Sequence, residues 1–164
     1  MAISIPTPTD ARLDPRELTA WCGLLQVHGA LTKALDARLE AEHGLPLTSF
    51  EVLRCVDEAE RGRMRMCDLA TSVLLSRSGL TRLADRLERD GYLARESCAD
   101  DARGQFAVLT DAGRAKLSAA RATHRATVRA LFLEHFSADE LDAMAAMWER
   151  VLPGALAAAG RGCC

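Results

Sequence analysis

The sequence predicts a mainly α-helical (α+β) fold that contains one short β-hairpin. Three observations support this class. Aliphatic residues and alanine dominate a chain that is 49% hydrophobic but only 4% aromatic, a composition that favours helices. Apolar residues recur at helical spacing along most of the chain, and two short strand-like segments lie close together after its middle. At 164 residues the chain fits one domain, or one domain with an oligomerisation element.

The first predicted helix extends from Asp14 to Gly44. Its start, Asp14-Pro15-Arg16-Glu17, combines an N-cap acid, a proline at the first helical position and a glutamate placed to close a capping box. Gly44, followed by Pro46, predicts its end. Leucines recur on its apolar side, at Leu18, Leu24, Leu25, Leu31, Leu35 and Leu39.

Three shorter helices are predicted next. Thr48-Ser49-Phe50-Glu51 has the pattern of a second capping box and predicts the start of the first of them. The Arg61-Gly62-Arg63 turn separates it from a brief helix that begins at Met66 and ends near Leu75. The third follows after only a few residues, carries several arginines and ends at Gly91.

A hairpin and two further helices complete the chain. Tyr92–Glu96 and Gln105–Leu109 are short and strand-like, and turn residues fill the polar connection between them. Thr110 predicts the cap of a helix that runs from Asp111 to about Glu134. A third capping box, at Ser137–Glu140, opens the last helix.

Two short helices in close succession, followed by a two-stranded hairpin, predict a winged helix-turn-helix. In helix-turn-helix proteins the second helix of the pair lies in the major groove of DNA. Here Leu80, Leu83 and Leu87 have the spacing of its buried stripe. The residues that then face outward are Ser78, Arg82, Asp85, Arg86 and Arg89.

Charge alone leaves open whether this outward face contacts DNA or only solvent. The chain carries a net charge of -2, and Asp85 and Glu88 lie among the arginines of the helix. The hairpin favours DNA, because its tip presents Arg103 beside Gly104. An arginine on a slender loop can enter a narrow minor groove, where the potential is most negative.

Three segments resemble the MarR family of bacterial transcription regulators. They are LSRSGLTRLADRLERDGYL (75–93), DDARG (100–104) and VLTDAG (108–113), and the resemblance extends over about residues 16–155. It implies a homodimer joined by a helical dimerisation lobe, formed by the N- and C-terminal helices at 14–44 and 111–158. The winged helix-turn-helix lobe then covers 48–110, with its wing at 92–109.

The resemblance also implies a function: sequence-specific binding of double-stranded DNA at an inverted-repeat operator, usually as a repressor. Arg103 corresponds to the arginine of the wing, and Asp101 supports it. Ala102 replaces the first arginine of the family's Asp-Arg-Arg, which removes one expected phosphate contact per subunit. The residues expected to contact bases and phosphates are Ser76, Arg77, Ser78, Thr81, Arg82 and Arg86.

The resemblance implies an effector too, and here alternatives stay open. Members of the family commonly bind small aromatic acids or drugs where the dimer helices meet the DNA-binding lobe. Trp21, His28, Phe50 and Arg54 are the candidates for such a site, although Trp21 and Phe50 also fit an ordinary core. The second alternative is thiol oxidation at Cys22 or Cys98, and metal sensing ranks last because ligand spacing is lacking. A winged helix that binds another protein instead of DNA is a further alternative.

The sequence predicts no enzyme, cofactor or metal site. Its four histidines, at 28, 43, 124 and 135, have no metal-ligand or catalytic-triad spacing, and no glycine-rich phosphate loop occurs. No apolar run is long enough to span a membrane, and the first residues lack the pattern of a secretory signal. The cysteines form no C-x-x-C pair. We therefore expect a cytoplasmic protein with reduced thiols.

Overall fold

A computed structural model describes residues 12–98 and 101–154, without the side chains at 98 and 101–103. The predicted order of elements is confirmed, with one added strand and two single 3-10 turns, at Glu60–Gly62 and Leu133–His135. The elements are α1 (Pro15–His43), α2 (Leu47–Glu58), β1 (Arg63–Arg65), α3 (Met66–Ser72), α4 (Arg77–Arg89), β2 (Leu93–Cys98), β3 (Asp101–Leu109), α5 (Asp111–Leu131) and α6 (Ala138–Val151).

The three strands form one antiparallel sheet in the order β1-β3-β2. The mainly α fold with a winged helix-turn-helix is therefore confirmed, and the wing is the β2–β3 hairpin. β1 was not predicted because three residues after a turn are too few to show an alternating pattern. β1 pairs with β3, with Met64 opposite Ala107, and this pairing makes β1 an edge strand of the sheet.

Two of the three predicted capping boxes are present. At α1 the Glu17 amide donates to Asp14 Oδ1 (3.0 Å), and the Asp14 amide donates to Glu17 Oε2 (2.7 Å). At α6 the corresponding pair is Ser137 and Glu140. Each box satisfies backbone amides that a helix start otherwise leaves without partners.

The box predicted at Thr48–Glu51 is wrong. α2 begins two residues earlier, at Leu47, with Pro46 in the N-cap position and no side-chain cap of its own. The Leu47 amide instead donates to Asp36 Oδ1 of α1 (2.8 Å). The carboxylate of Asp36, eleven residues before Leu47, thus supplies the helix cap that was expected from Thr48.

The chain divides into two compact units. Of the described residues, those between 35 and 127 form the central unit, and 12–34 with 128–154 form the terminal unit. The predicted lobes at 14–44, 48–110 and 111–158 were functional assignments and stay predictions. All described apolar side chains that are fully buried belong to the central unit; the largest are Leu39, Leu45, Phe50, Val52, Leu53, Val56, Leu69, Leu80, Leu87, Leu93 and Leu117.

Candidate nucleic-acid interface

Helix α4 is held in place by one cap and one apolar stripe. Ser76 is the N-cap, and its Oγ accepts a hydrogen bond from the Gly79 amide (3.1 Å). The stripe predicted from the sequence is confirmed, since Leu80, Leu83 and Leu87 are all buried in the central unit. Burying this stripe fixes which side of α4 faces outward.

The outward side carries arginines that are free to bind a ligand. All six residues of this region that were expected to contact DNA are exposed. Within the described part of the chain, Arg77, Arg82 and Arg86 form no ion pair. Arginine presents a planar fork of donors that suits phosphate and guanine edges. The six exposed residues are Ser76, Arg77, Ser78, Thr81, Arg82 and Arg86.

The two carboxylates of α4 are held by a single arginine from the sheet. Arg95 of β2 places one guanidinium nitrogen 2.7 Å from Asp85 Oδ1 and another 3.0 Å from Glu88 Oε2. It also donates to the Thr81 carbonyl oxygen at 3.3 Å. Asp85 and Glu88, the acids that left the sequence interpretation open, therefore pair with Arg95 and not with the arginines of α4. Sequence reasoning missed Arg95 because no local pattern connects β2 to α4.

The wing brings Asp101 and Arg103 onto β3, the strand that pairs with β2. The pairing is regular from Leu93 opposite Leu109 as far as Ser97, where a register shift interrupts it. The side chains of Asp101, Arg103 and Cys98 lie outside the described part of the structure. Their predicted roles stay predictions.

A second basic cluster, not predicted from the sequence, lies on the outer face of the sheet. Arg63 and Arg65 of β1 both stack on the Phe106 ring, with guanidinium carbons 4.8 and 5.5 Å from its centroid. No local pattern indicates this cluster, because only the pairing of β1 with β3 brings Arg63 and Arg65 to the Phe106 ring.

The comparisons with known proteins agree with this geometry. The model of the MarR family matches residues 45–104, which cover α2, the helix-turn-helix and most of the wing. AbsC, a MarR family transcriptional regulator from Streptomyces coelicolor, is 34% identical in sequence; the match covers 93% of this chain and 99% of AbsC, with a TM-score of 0.79. The chain belongs to the MarR family.

Two further relatives are transcriptional regulators. Sco3205, a MarR family regulator from Streptomyces coelicolor solved in complex with DNA, is 30% identical; the match covers 88% of this chain and 91% of Sco3205, with a TM-score of 0.83. YkoM of Bacillus subtilis, an uncharacterized HTH-type transcriptional regulator, is 34% identical over 101 residues, 62% of this chain. The chain matches only 64% of the length of YkoM. MarR proteins are transcriptional regulators and not enzymes, which confirms that prediction.

The four effector candidates of this MarR chain belong to different units. Trp21 and His28 lie on α1 in the terminal unit, where Trp21 is 54% exposed. Phe50 and Arg54 lie on α2 in the central unit and are only 1% and 8% exposed. Their grouping into one pocket stays a prediction.

Phe50 and Arg54 have well-defined partners. The Phe50 ring stacks on the His124 imidazole, with centroids 4.6 Å apart, and Arg54 pairs with Glu58 at 2.8 Å. The pKa of His124 lies below its ordinary value because burial disfavours the charged ring, and the nearby Arg54 and Arg125 charges act in the same direction. His124 was not singled out as a site residue because its ring is brought to Phe50 only by tertiary packing.

Within the terminal unit, His28 lines an apolar cleft of about 390 Å³ between α1, α6 and the segment that follows α5. Trp148, Phe132 and Phe136 supply its aromatic wall. Apart from the His28 imidazole, the cleft is lined by apolar and aromatic side chains and one glycine. Trp21 is not among the lining residues.

Among the described residues, no contact supports thiol oxidation or metal binding as the sensing mechanism. Cys22 is exposed and free on α1, and redox sensing by Cys22 or Cys98 stays a prediction. Among residues 12–98 and 101–154, no three histidine, cysteine or acidic side chains lie close enough to hold a metal ion. In those ranges no helix is both long and apolar enough to cross a membrane.

Proposed function

We propose that the chain binds a pseudo-palindromic DNA operator as a homodimer, with α4 of each subunit in a major groove and each wing at the adjacent minor groove. One observation carries this proposal. The outward face of α4 presents Arg77, Arg82 and Arg86, which have no ion partner among the described residues, while the two acids of the helix are occupied by Arg95. A helix arranged in this way offers its cations to phosphates and base edges.

The proposed homodimer rests on the apolar surface of the terminal unit. Large apolar side chains with high exposure are concentrated there, and only Leu74 lies elsewhere among the described residues. A concentration of large exposed apolar side chains in one part of a protein marks an interaction site. We expect a second copy of the chain to cover it. The exposed side chains are Leu13, Leu18, Trp21, Leu24, Leu25, Val27, Leu131, Met147, Trp148 and Val151.

Two-fold symmetry then determines the form of the operator. Two recognition helices related by a dyad fit successive major grooves on one side of DNA when they are roughly 34–36 Å apart. The half-sites are therefore inverted repeats whose centres lie about one helical turn apart. Each subunit contributes the same arginine face, so that losing one half-site weakens binding steeply.

We further propose that binding represses transcription. A dimer held on both half-sites of an operator that overlaps a promoter excludes polymerase by occupancy alone. A ligand that changes the separation of the two α4 helices by a few ångströms breaks one half-site, and a difference of about 3 kcal/mol between the two states alters affinity some hundredfold.

The proposed effector is a small aromatic acid. Phe50 and His124 offer stacked rings next to the Arg54 cation, a combination that suits a benzoate or phenolic acid. Because Phe50 and Arg54 are almost fully buried, a ligand that reaches them has to separate α2 from α5. Binding at this site is therefore coupled to movement of α2, which packs against α3 of the helix-turn-helix.

The test is selection of bound genomic fragments by the purified protein, compared with Arg82→Ala and with Arg38→Ala as a matched control. Arg38 is an exposed arginine of α1 that pairs with Glu42 one helical turn away. We expect the parent and Arg38→Ala to enrich the same inverted repeat and Arg82→Ala to lose it. Equal enrichment by all three proteins, or by none, contradicts the proposal. The recovered fragment is then titrated with hydroxybenzoates, which release it if the effector is aromatic.

A further inference from the structure

Asp85 occupies an unfavourable place for a DNA-binding helix. It lies three residues after Arg82 and four before Arg89, so it neighbours both on the helix surface. A carboxylate there can capture either arginine, and its charge repels phosphates. Glu88 adds a second negative charge one turn further along.

Arg95 is placed to counter both effects. It binds Asp85 and Glu88 with different guanidinium nitrogens, at 2.7 and 3.0 Å. Arg82 and Arg86 themselves have no ion partner among the described residues. Arginine suits this role because its planar guanidinium presents separate nitrogens to the two carboxylates.

The position of Arg95 in the sheet explains the direction of its side chain. Arg95 lies opposite Ala107 of β3, which is buried, so its side chain leaves the sheet on the core side where α4 packs. Only 18% of the side chain is exposed. Its Nε is the one buried side-chain nitrogen or oxygen that lacks a hydrogen-bond partner in the described part of the chain. Since unpaired buried donors are costly, the arrangement is not one that stability alone favours.

We propose that Arg95 is a positioning residue for DNA recognition: it masks the two carboxylates of α4, leaves the arginines of that helix free for phosphate, and ties α4 to the wing. This inference rests on the proposed DNA binding. It differs from a purely structural role because the masking matters only while Asp85 and Glu88 carry charge.

The experiment measures binding of a labelled mixed-sequence duplex, about 30 base pairs or three helical turns long, over a range of salt concentrations. Binding of such a duplex is electrostatic and does not depend on knowing the operator. Arg95→Met is expected to bind about tenfold more weakly at low salt, and its salt dependence is expected to be less steep by about one released ion for each arginine captured by a carboxylate. Arg38→Met, which removes one charge from α1, is the matched control.

A rescue experiment distinguishes the masking role of Arg95 from a purely structural role. Arg95→Met combined with Asp85→Asn and Glu88→Gln is expected to recover both the affinity and the salt dependence, because no carboxylate remains to be masked. If this triple variant stays as weak as Arg95→Met, the role of Arg95 is structural and the masking proposal is wrong. If the parent itself binds no duplex, the proposed DNA-binding function fails first, and the inference fails with it.

A second comparison covers the case in which Arg95→Met does not fold. Asp85→Asn with Glu88→Gln, in the presence of Arg95, is expected to change duplex affinity by less than about twofold, because masked carboxylates repel phosphate little. A gain of tenfold or more in that variant shows that the acids act on DNA in the parent and overturns the proposal.

Discussion

The carbonyl oxygen of Tyr92 lies 1.9 Å from the point that a β-carbon on Gly113 would occupy. The two residues meet where the wing returns to α5. Thr110 joins the same contact: its amide donates to the Tyr92 carbonyl (3.2 Å), its hydroxyl donates to the Gly91 carbonyl (2.6 Å), and its Oγ1 accepts from the Gly113 amide (2.9 Å). The first turn of α5 is therefore packed directly on the base of the wing.

Gly113→Ala is expected to destabilise the protein by about 1–3 kcal/mol, because backbone atoms have to move apart to admit the methyl group. Urea unfolding measures the loss. Gly29→Ala is the control, since nothing lies within 4 Å of a β-carbon there and alanine favours the helix. An unchanged unfolding midpoint for Gly113→Ala contradicts the close approach.

Helix ends show what the sequence could and could not predict. α1 and α4 end at Gly44 and Gly91, with φ of 56° and 77°, and both glycines were identified from the sequence. α3 ends in the same way but with Leu74 in the left-handed position, at φ 53°. The Leu74 and Leu75 amides donate to the Thr71 and Ala70 carbonyls, the two hydrogen bonds of a Schellman motif. A leucine gives no local indication of that geometry.

Leu74→Gly is therefore expected to stabilise the protein by about 1 kcal/mol, because glycine adopts a positive φ without the steric cost that leucine bears. The side chain contributes little to packing, since Leu74 is 93% exposed. Thermal unfolding at neutral pH tests the change. Leu75→Gly, which removes a side chain packed against the core, should lower the midpoint instead. A loss of stability in Leu74→Gly would show that the leucine has a contact that outweighs its strain.

Contacts between distant elements account for the rest of what the sequence missed. The α4 face and its buried leucines followed from periodicity alone, whereas Arg95 reaches Asp85 only once β2 has packed on α4. The cap of α2 is of the same kind, because Asp36 and Leu47 meet only after the chain reverses at Gly44. Periodicity and capping patterns describe neighbours along one element, so they do not determine which side chains meet across elements.

The Asp36 cap gives a direct test. Asp36→Ala leaves the Leu47 amide without its acceptor and is expected to cost about 1 kcal/mol, the usual effect of removing an N-cap side chain. Asp36→Asn keeps a side-chain oxygen and should stay within a few tenths of a kcal/mol of the parent. Both are measured by urea unfolding. If alanine and asparagine have equal effects, the hydrogen bond to Leu47 does not contribute to stability.

His124 predicts a pH dependence of stability whose sign is fixed by the direction of its pKa shift. Burial, then the charges of Arg54 and Arg125, lower the pKa of His124 from its ordinary 6.5. The unfolded chain therefore binds a proton at a higher pH than the folded one does, and folding loses stability as pH falls from about 6.5 through the lowered pKa. Well above pH 6.5 the imidazole is neutral in both states and this loss is absent.

The measurement compares the urea midpoints of the parent and His124→Gln at pH 7.5 and 5.5, values on either side of the ordinary histidine pKa of about 6.5. Carboxylates titrate in both proteins, so the informative quantity is the difference between them. The parent should lose more stability on acidification than His124→Gln, whereas His135→Gln, at an exposed position, should behave like the parent. Because the His124 ring stacks on Phe50, protonating it places a cation in a packed contact between α2 and α5. Identical losses in the parent and in His124→Gln would mean that this ring accepts its proton as readily in the folded chain as in the unfolded one.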